Sequence, residues 1–144
     1  MWLVQSTSIK NKWIDLAMRL ADAAAKTSQD QFVKVGAAVL RSDGSVCGVG
    51  YNGYPPGFDL TKQESLDRDY RRDFMVHAEI NALAYCKPGE PHLLAVTYPP
   101  CKACLLEAAR YGVKNLIYRE NKDRDIFPSD YLAARLGVTL IIEK

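Results

Sequence analysis

The sequence is poor in the features that mark membrane, secreted and duplex-binding proteins. No apolar run approaches the roughly 20 residues that a bilayer span needs. The opening Met1-Trp2-Leu3-Val4 gives way at once to polar Gln5-Ser6-Thr7-Ser8, so no signal-peptide core is read there. Charge of one sign is scarce: a formal net charge of +2 gives no electrostatic footprint for duplex nucleic acid, and leaves room only for a local basic pocket. There is no linker, repeat or low-complexity segment. The 144 residues, 48% hydrophobic and 25% charged, fit one soluble domain over residues 1–144. Histidine is rare (His77 and His92), and there are four cysteines, Cys47, Cys86, Cys101 and Cys104. Without a secretion signal the expected compartment is the cytoplasm, whose reducing conditions argue against disulfides. Cys47 and Cys86 stand in apolar surroundings and are expected to be buried structural thiols.

What is present is an alternation of helical and extended patterns. Apolar residues at 13, 16, 17, 20 and 24 have the spacing of an amphipathic helix, which alanines continue to about Lys26. Residues 32–40 and 45–51 are rich in β-branched and small side chains, and Asp43-Gly44 between them is a hairpin signal. Gly48, Gly50 and Gly53 weaken a strand, so something is expected to approach the backbone closely there. Residues 60–74 are charged with mixed signs. They read as a solvated loop or short helix, with a phosphate site through Arg71 or Arg72 as the sharper alternative. Helical spacing runs from His77 to about Cys86, and again over 102–111 up to Gly112. Residues 93–97, 115–118 and 138–142 read as strands, and Ser129 is placed as the cap of a helix through Arg135 that stops at Gly137. Strands separated by single helices imply right-handed parallel crossovers. The fold class is therefore α/β, with the last three strands parallel and the hairpin adding an antiparallel pair.

Two stretches carry the chemistry. His77-Ala78-Glu79 opens one helical run, and Pro99-Pro100-Cys101-Lys102-Ala103-Cys104 opens another. An imidazole and two thiols are three zinc ligands of the usual type, and three protein ligands leave one tetrahedral position for water. Cys101 and Cys104 share a face of a first helical turn, where the positive helix end favours thiolate. Glu79 lies about 200° around an ideal helix from His77, so the two do not easily grip one ion. Zinc with two thiolates and a neutral imidazole carries no net charge. It should acidify water less than a zinc held by three histidines, and a nearby base is then needed. Glu79 can take that proton, deliver it to a ring nitrogen and help expel an amine, which is hydrolytic deamination. The blander alternatives are a redox Cys-x-x-Cys and a zinc that only staples the fold. The second requires a fourth ligand, for which His92 has no obvious geometry.

His-x-Glu followed by Pro-Cys-x-x-Cys is the signature of the zinc nucleobase deaminases. Within the zinc-dependent cytidine/deoxycytidylate deaminase superfamily, the chain most closely resembles the deoxycytidylate (dCMP) deaminases. The residues that carry the likeness are Gly50-Tyr51-Asn52-Gly53 with Pro55 or Pro56, His77-Ala78-Glu79-Ile80-Asn81-Ala82, Pro100 to Cys104, and Tyr131 to Val138. The resemblance implies a three-layer α/β/α cytidine-deaminase-like fold around a five-stranded mixed sheet. It implies one catalytic Zn2+ on His77, Cys101 and Cys104, with Glu79 as proton shuttle, Asn52 on the sugar and the Ala78 backbone N–H on the pyrimidine O2. The implied reaction takes dCMP to dUMP and ammonia, for pyrimidine deoxynucleotide supply. The implied assembly is a homohexamer, with a dimer as the alternative, activated by dCTP and inhibited by dTTP. Mg2+ would accompany a triphosphate effector, and Gly50, Tyr51, Gly53, Arg71 and Arg72 would contact it. For the substrate phosphate the first candidates are Arg119 and Lys122, then Arg71 and Arg72; Tyr118 packs either on the nucleotide or in the core. Some viral members hold a structural zinc through His and Cys before the catalytic helix. Residues 53–76 contain neither, so one zinc per chain is expected.

Other readings compete with this one. Free cytidine deaminases typically present Cys as the first ligand and end on antiparallel strands. The tRNA adenosine deaminases share His-Ala-Glu but need a basic surface. A deaminase of single-stranded DNA needs aromatic platforms in a basic groove, for which Tyr51, Tyr54, Phe58 and Tyr118 are available. From another class comes a non-catalytic, zinc-stapled binding module.

Overall fold

The structure, a computed structural model, describes residues 2–4 as backbone and residues 9–144 in full; the polar stretch 5–8 read above lies outside the described residues, as does Met1. The elements run β1 (Trp2–Val4), α1 (Asn11–Ala25), β2 (Gly36–Leu40), β3 (Val46–Tyr51), α2 (Lys62–Ser65), α3 (Arg68–Arg72), α4 (Ala78–Leu83), β4 (Leu93–Val96), α5 (Lys102–Tyr111), β5 (Asn115–Arg119), α6 (Ser129–Leu136) and β6 (Thr139–Glu143). The strands form one mixed sheet in the order β1-β6-β5-β4-β2-β3. β4, β5 and β6 are parallel, and β2 is antiparallel to both β3 and β4. The five expected strands are all there in the expected directions. A sixth, β1, pairs antiparallel with β6, Leu3 opposite Ile142. Three residues are too few to show a periodicity, so the sequence does not announce it.

The central strands are buried on both faces, and their alternation sorts side chains into two cores. Ala38, Leu40, Leu93, Ala95, Ile117 and Ile141 meet Ile14, Ala17, Met18 and Ala21 of α1 on one face. On the other, Ala37, Val39, Leu94, Val96, Leu116 and Tyr118 meet Ala82 and Leu83 of α4, Leu105 and Ala108 of α5, and Ala133 of α6. This is the three-layer arrangement.

What approaches the glycines of β3 is helix α4. A Cβ on Gly48 would collide with the Ala82 carbonyl oxygen, and one on Gly50 would sit 2.5 Å from the Ala82 nitrogen. Gly50, expected to face an effector, is backed by this helix. After β3 the chain makes an excursion through α2 and α3. Its base is closed where Gly53 and Val76 exchange both backbone hydrogen bonds, at 3.1 and 2.8 Å. Within it Phe58 stacks on Phe74 at 5.0 Å, and Tyr70 packs on Phe74 at 5.3 Å.

Two local expectations are corrected. Ser129 is not a helix cap. Pro128 holds that position, and the buried Ser129 hydroxyl donates to the Pro100 carbonyl at 3.1 Å, fixing the start of α6 against the approach to α5. Arg119, expected on the phosphate, is a tether at the end of β5. Its Nη1 and Nη2 meet the Asp22 carboxylate of α1 at 2.7 and 2.9 Å, and its Nε meets Glu143 of β6 at 2.5 Å.

Two substitutions test these packing roles by urea unfolding. Gly50→Val should destabilise the protein by about 3 kcal/mol through overpacking against α4, and an unchanged midpoint would refute the close approach. Arg119→Ala should cost only about 1 kcal/mol, since the ion pairs are partly solvated and screened, and should leave the zinc content of the purified protein unchanged.

Candidate active site

His77 stands just outside its helix. Its backbone is extended (φ −69°, ψ 151°) and it takes the N-cap position of α4. Cys101 is placed the same way before α5 (φ −81°, ψ 166°), and its Sγ accepts from the Cys104 amide at 3.4 Å. The helix starts therefore bring their ligating atoms together, His77 and Cys101 from the caps and Cys104 from the first turn of α5. His77 Nδ1 lies 3.1 Å from Cys104 Sγ and 3.4 Å from Cys101 Sγ, and all three atoms fall within 4.8 Å of one another. Around a tetrahedral zinc, bonds of about 2.0 Å to nitrogen and about 2.3 Å to sulfur separate such atoms by about 3.5–3.8 Å. The donor set fits a zinc ion. His92 is elsewhere, its amide bonded to Leu40 at the start of β4, and among the described residues no other group joins the three. A closed four-ligand staple is thus not built here.

The three donors differ in protonation before a metal enters. Cys101 is held down to about 3, first by the hydrogen bond from the Cys104 thiol and then by His77 and the Cys104 amide. Cys104 is pushed up, by that same hydrogen bond and by burial. His77 is raised, chiefly by its hydrogen bond to Cys101. A divalent cation gathering both sulfurs must displace the remaining thiol proton.

Glu79 lies in the first turn of α4, only 4% exposed. Burial pushes its carboxyl up to about 7, against the opposing pull of its own backbone amide and His77. Ideal helical spacing would set it about 200° around from His77. The structure separates them by leaving His77 in the cap.

These groups open into a cavity of about 360 Å³, lined by His77, Ala78, Glu79 and Cys101. Asn52 lines it too, as expected. Its carboxamide also brackets the approach to β2: Oδ1 accepts from the Val35 amide and Nδ2 donates to the Val33 carbonyl, both at 2.9 Å. One N–H and one lone pair remain for a ligand. Ala78, the first residue of α4, has no partner for its N–H within the helix.

Four arginines share the cavity: Arg68, Arg71, Arg72 and Arg124. Arg71 and Arg72 were expected near a phosphate or effector. Arg124 was not, and lies 5.3 Å over the ring of Tyr98, another lining residue that the sequence did not single out. Composition separates Arg124 from Arg119 and Lys122 in no way; only the path of the loop after β5 does. The other expected contacts do not gather here. Tyr118 is 4% exposed and belongs to the core, and Arg119 and Lys122 do not line the cavity. Nor do Gly50, Tyr51 and Gly53; the Tyr51 carbonyl accepts from Asn81 Nδ2 at 2.8 Å. Of the other two cysteines, Cys86 is buried and Cys47 half-buried, both free thiols.

Known proteins match this chain along most of its length. The model of the cytidine and deoxycytidylate deaminase zinc-binding region matches residues 11–120. Human deoxycytidylate deaminase is 29% identical over 134 residues, covering 87% of this chain and 73% of that protein. The deoxycytidylate deaminase of Mycobacterium phage D29 is 36% identical over 120 residues, covering 74% of this chain and 93% of that one. The crystal structure of dCMP deaminase from the cyanophage S-TIM5, in complex with dCMP and dUMP, superposes with a TM-score of 0.74 at 28% identity, covering 94% of this chain and 99% of that one. Motif, donor geometry and these likenesses agree, and the chain belongs to the zinc-dependent family of cytidine and deoxycytidylate deaminases.

Proposed function

We propose that the protein deaminates dCMP hydrolytically to dUMP and ammonia. The observation that carries this reading is that one cavity is lined by Glu79, by His77 and Cys101 of the zinc donor trio, and by four arginines. A nucleoside needs only the first two; a nucleotide needs an anion site as well. The likeness to the phage and human deoxycytidylate deaminases supports the same substrate.

His77, Cys101 and Cys104 would hold the zinc, which would supply Lewis acidity toward the attacking water. The chain's own residues do the rest. Glu79 takes a proton from the attacking water and passes it to the ring nitrogen beside the reacting carbon; it then carries the second proton, from the added hydroxyl, to the amino group, which leaves as ammonia while the carbonyl forms. The Ala78 N–H holds the pyrimidine O2, and Asn52 holds the sugar through the donor and acceptor it still has free. Val33, Val35 and Pro99 line the cavity with apolar surface. Arginines from the excursion and from the loop after β5 face the phosphate. The resemblance also supports a cytoplasmic homohexamer that responds to dCTP and dTTP, with Mg2+ accompanying the triphosphates.

Ammonia release from dCMP, dCTP, deoxycytidine and a tRNA substrate tests the assignment. We expect turnover of dCMP well above the others, and turnover of deoxycytidine but not dCMP would sink it. Glu79→Ala should keep the zinc and the fold but lower turnover about 1000-fold, the size of a lost general acid–base group. Normal turnover in that variant would reject the proton-shuttle role.

A further inference from the structure

We propose that Arg71 reads the 5′-phosphate of the substrate and that Asp30 is the positioning residue that aims it. The inference rests on the cavity being a nucleotide site.

Arg71 differs from the other arginines of the cavity. It is only 5% exposed, while the Arg72 side chain is 59% exposed and Arg68 and Arg124 also stand in solvent. Three contacts fix it. Its Nε lies 3.2 Å from Asp30 Oδ1, its guanidinium lies 4.6 Å over the ring of Phe32, and its backbone sits in α3. The Nε–Oδ1 approach is an ion pair without hydrogen-bond alignment, for both atoms are buried and lack a hydrogen-bond partner. Its terminal nitrogens make no hydrogen bond among the described residues, and Arg71 lines the cavity. A guanidinium has five N–H donors; Nε is buried beside Asp30 without an aligned partner, and the terminal nitrogens, which are not fully buried, are free to donate at the cavity wall. An anion bound in the cavity would supply acceptors for them. Two parallel N–H groups match the oxygens of a phosphate, and a side chain already ordered loses little freedom on binding.

Asp30 is itself held by the residues that hold Asn52. Asp30 Oδ2 accepts from the Val33 amide at 2.9 Å, and the Asp30 amide donates to Ser28 Oγ at 3.3 Å. Ser28 Oγ in turn donates to the Asn52 carbonyl at 2.9 Å, and the Asn52 carboxamide brackets Val33 and Val35. The residue expected on the sugar and the residue that aims Arg71 thus belong to one hydrogen-bonded segment. Their separation is fixed before any ligand arrives. A pair that merely tied α3 to the segment before β2 would have no reason to leave its guanidinium donors unpaired at a cavity wall.

Removing Arg71 alone leaves Asp30 buried and uncompensated, which risks the fold. The variants are therefore Asp30→Asn/Arg71→Gln together, Arg71→Lys, and Asp30→Asn alone. Calorimetry on the zinc-loaded proteins compares dUMP with deoxyuridine, beside kcat and KM for dCMP. In the double variant, dUMP binding should weaken and KM for dCMP should rise about 100-fold, as for two lost charge-assisted hydrogen bonds, with deoxyuridine affinity and kcat within a few-fold of wild type. Arg71→Lys and Asp30→Asn should each lose about tenfold in dUMP affinity, the first for want of the fork and the second for want of aim. A parallel loss of dUMP and deoxyuridine affinity would reduce the pair to a structural role. Unchanged dUMP affinity would assign the phosphate to the exposed arginines; either result overturns the proposal. A wild-type protein that binds dUMP no better than deoxyuridine would instead overturn the nucleotide reading itself.

Discussion

Helix α4 lies directly on bare backbone of β3, and the active site depends on that contact. Residues 48 and 50 have no side chains, so the helix descends until Ala82 touches the strand where Cβ atoms would stand. That depth places the start of α4, with His77 in its cap and Glu79 in its first turn, opposite the cap of α5. Three ligating atoms then meet without any long side chain having to reach. The metal site is assembled from two helix ends and a sheet, each rigid, which is how first contacts are held to fractions of an ångström.

Around this site the protein tolerates groups that a core would otherwise exclude. Glu79 is buried where its charged form is disfavoured, and the Asp30–Arg71 pair is buried without aligned hydrogen bonds. Neither is an efficient source of stability, since desolvating charges offsets most of their attraction. Stability rests on the two apolar layers, in which Ile14, Leu94, Leu105, Leu116 and Ile117 are fully buried. Local departures from the rules of core construction are gathered where ligand chemistry needs them.

Much of this was legible in the sequence. Three donors of two kinds, an imidazole and two thiols, at fixed spacing before apolar runs allow few geometries, so the trio and Glu79 could be named. The Asp-Gly turn and the single-helix crossovers likewise set the strand directions. What failed was whatever depended on a distant partner. Arg119 looked like a free cation beside the site because its partner Asp22 lies 97 positions away. Tyr118, read either on the nucleotide or in the core, takes the core position, in one cluster with Leu116. The mixed-sign stretch containing Arg71 reads as solvated surface or, more sharply, as a phosphate site through Arg71 or Arg72, and charge pattern alone does not say that Arg71 is the buried one. The glycines of β3 did announce a close neighbour, but could not say whether it was a ligand or a helix.

The paired backbone hydrogen bonds between Gly53 and Val76 have a consequence beyond local order. They fix where the chain leaves the sheet and where it returns, immediately before His77. Whatever is threaded between those two points can change in length or composition without transmitting a shift to the metal ligands. Arg68, Arg71 and Arg72, which line the cavity, therefore sit on a segment clamped at its base, while Glu79 lies on the helix that follows it. Such a division lets one catalytic framework be re-addressed to substrates of different charge by rewriting a single loop.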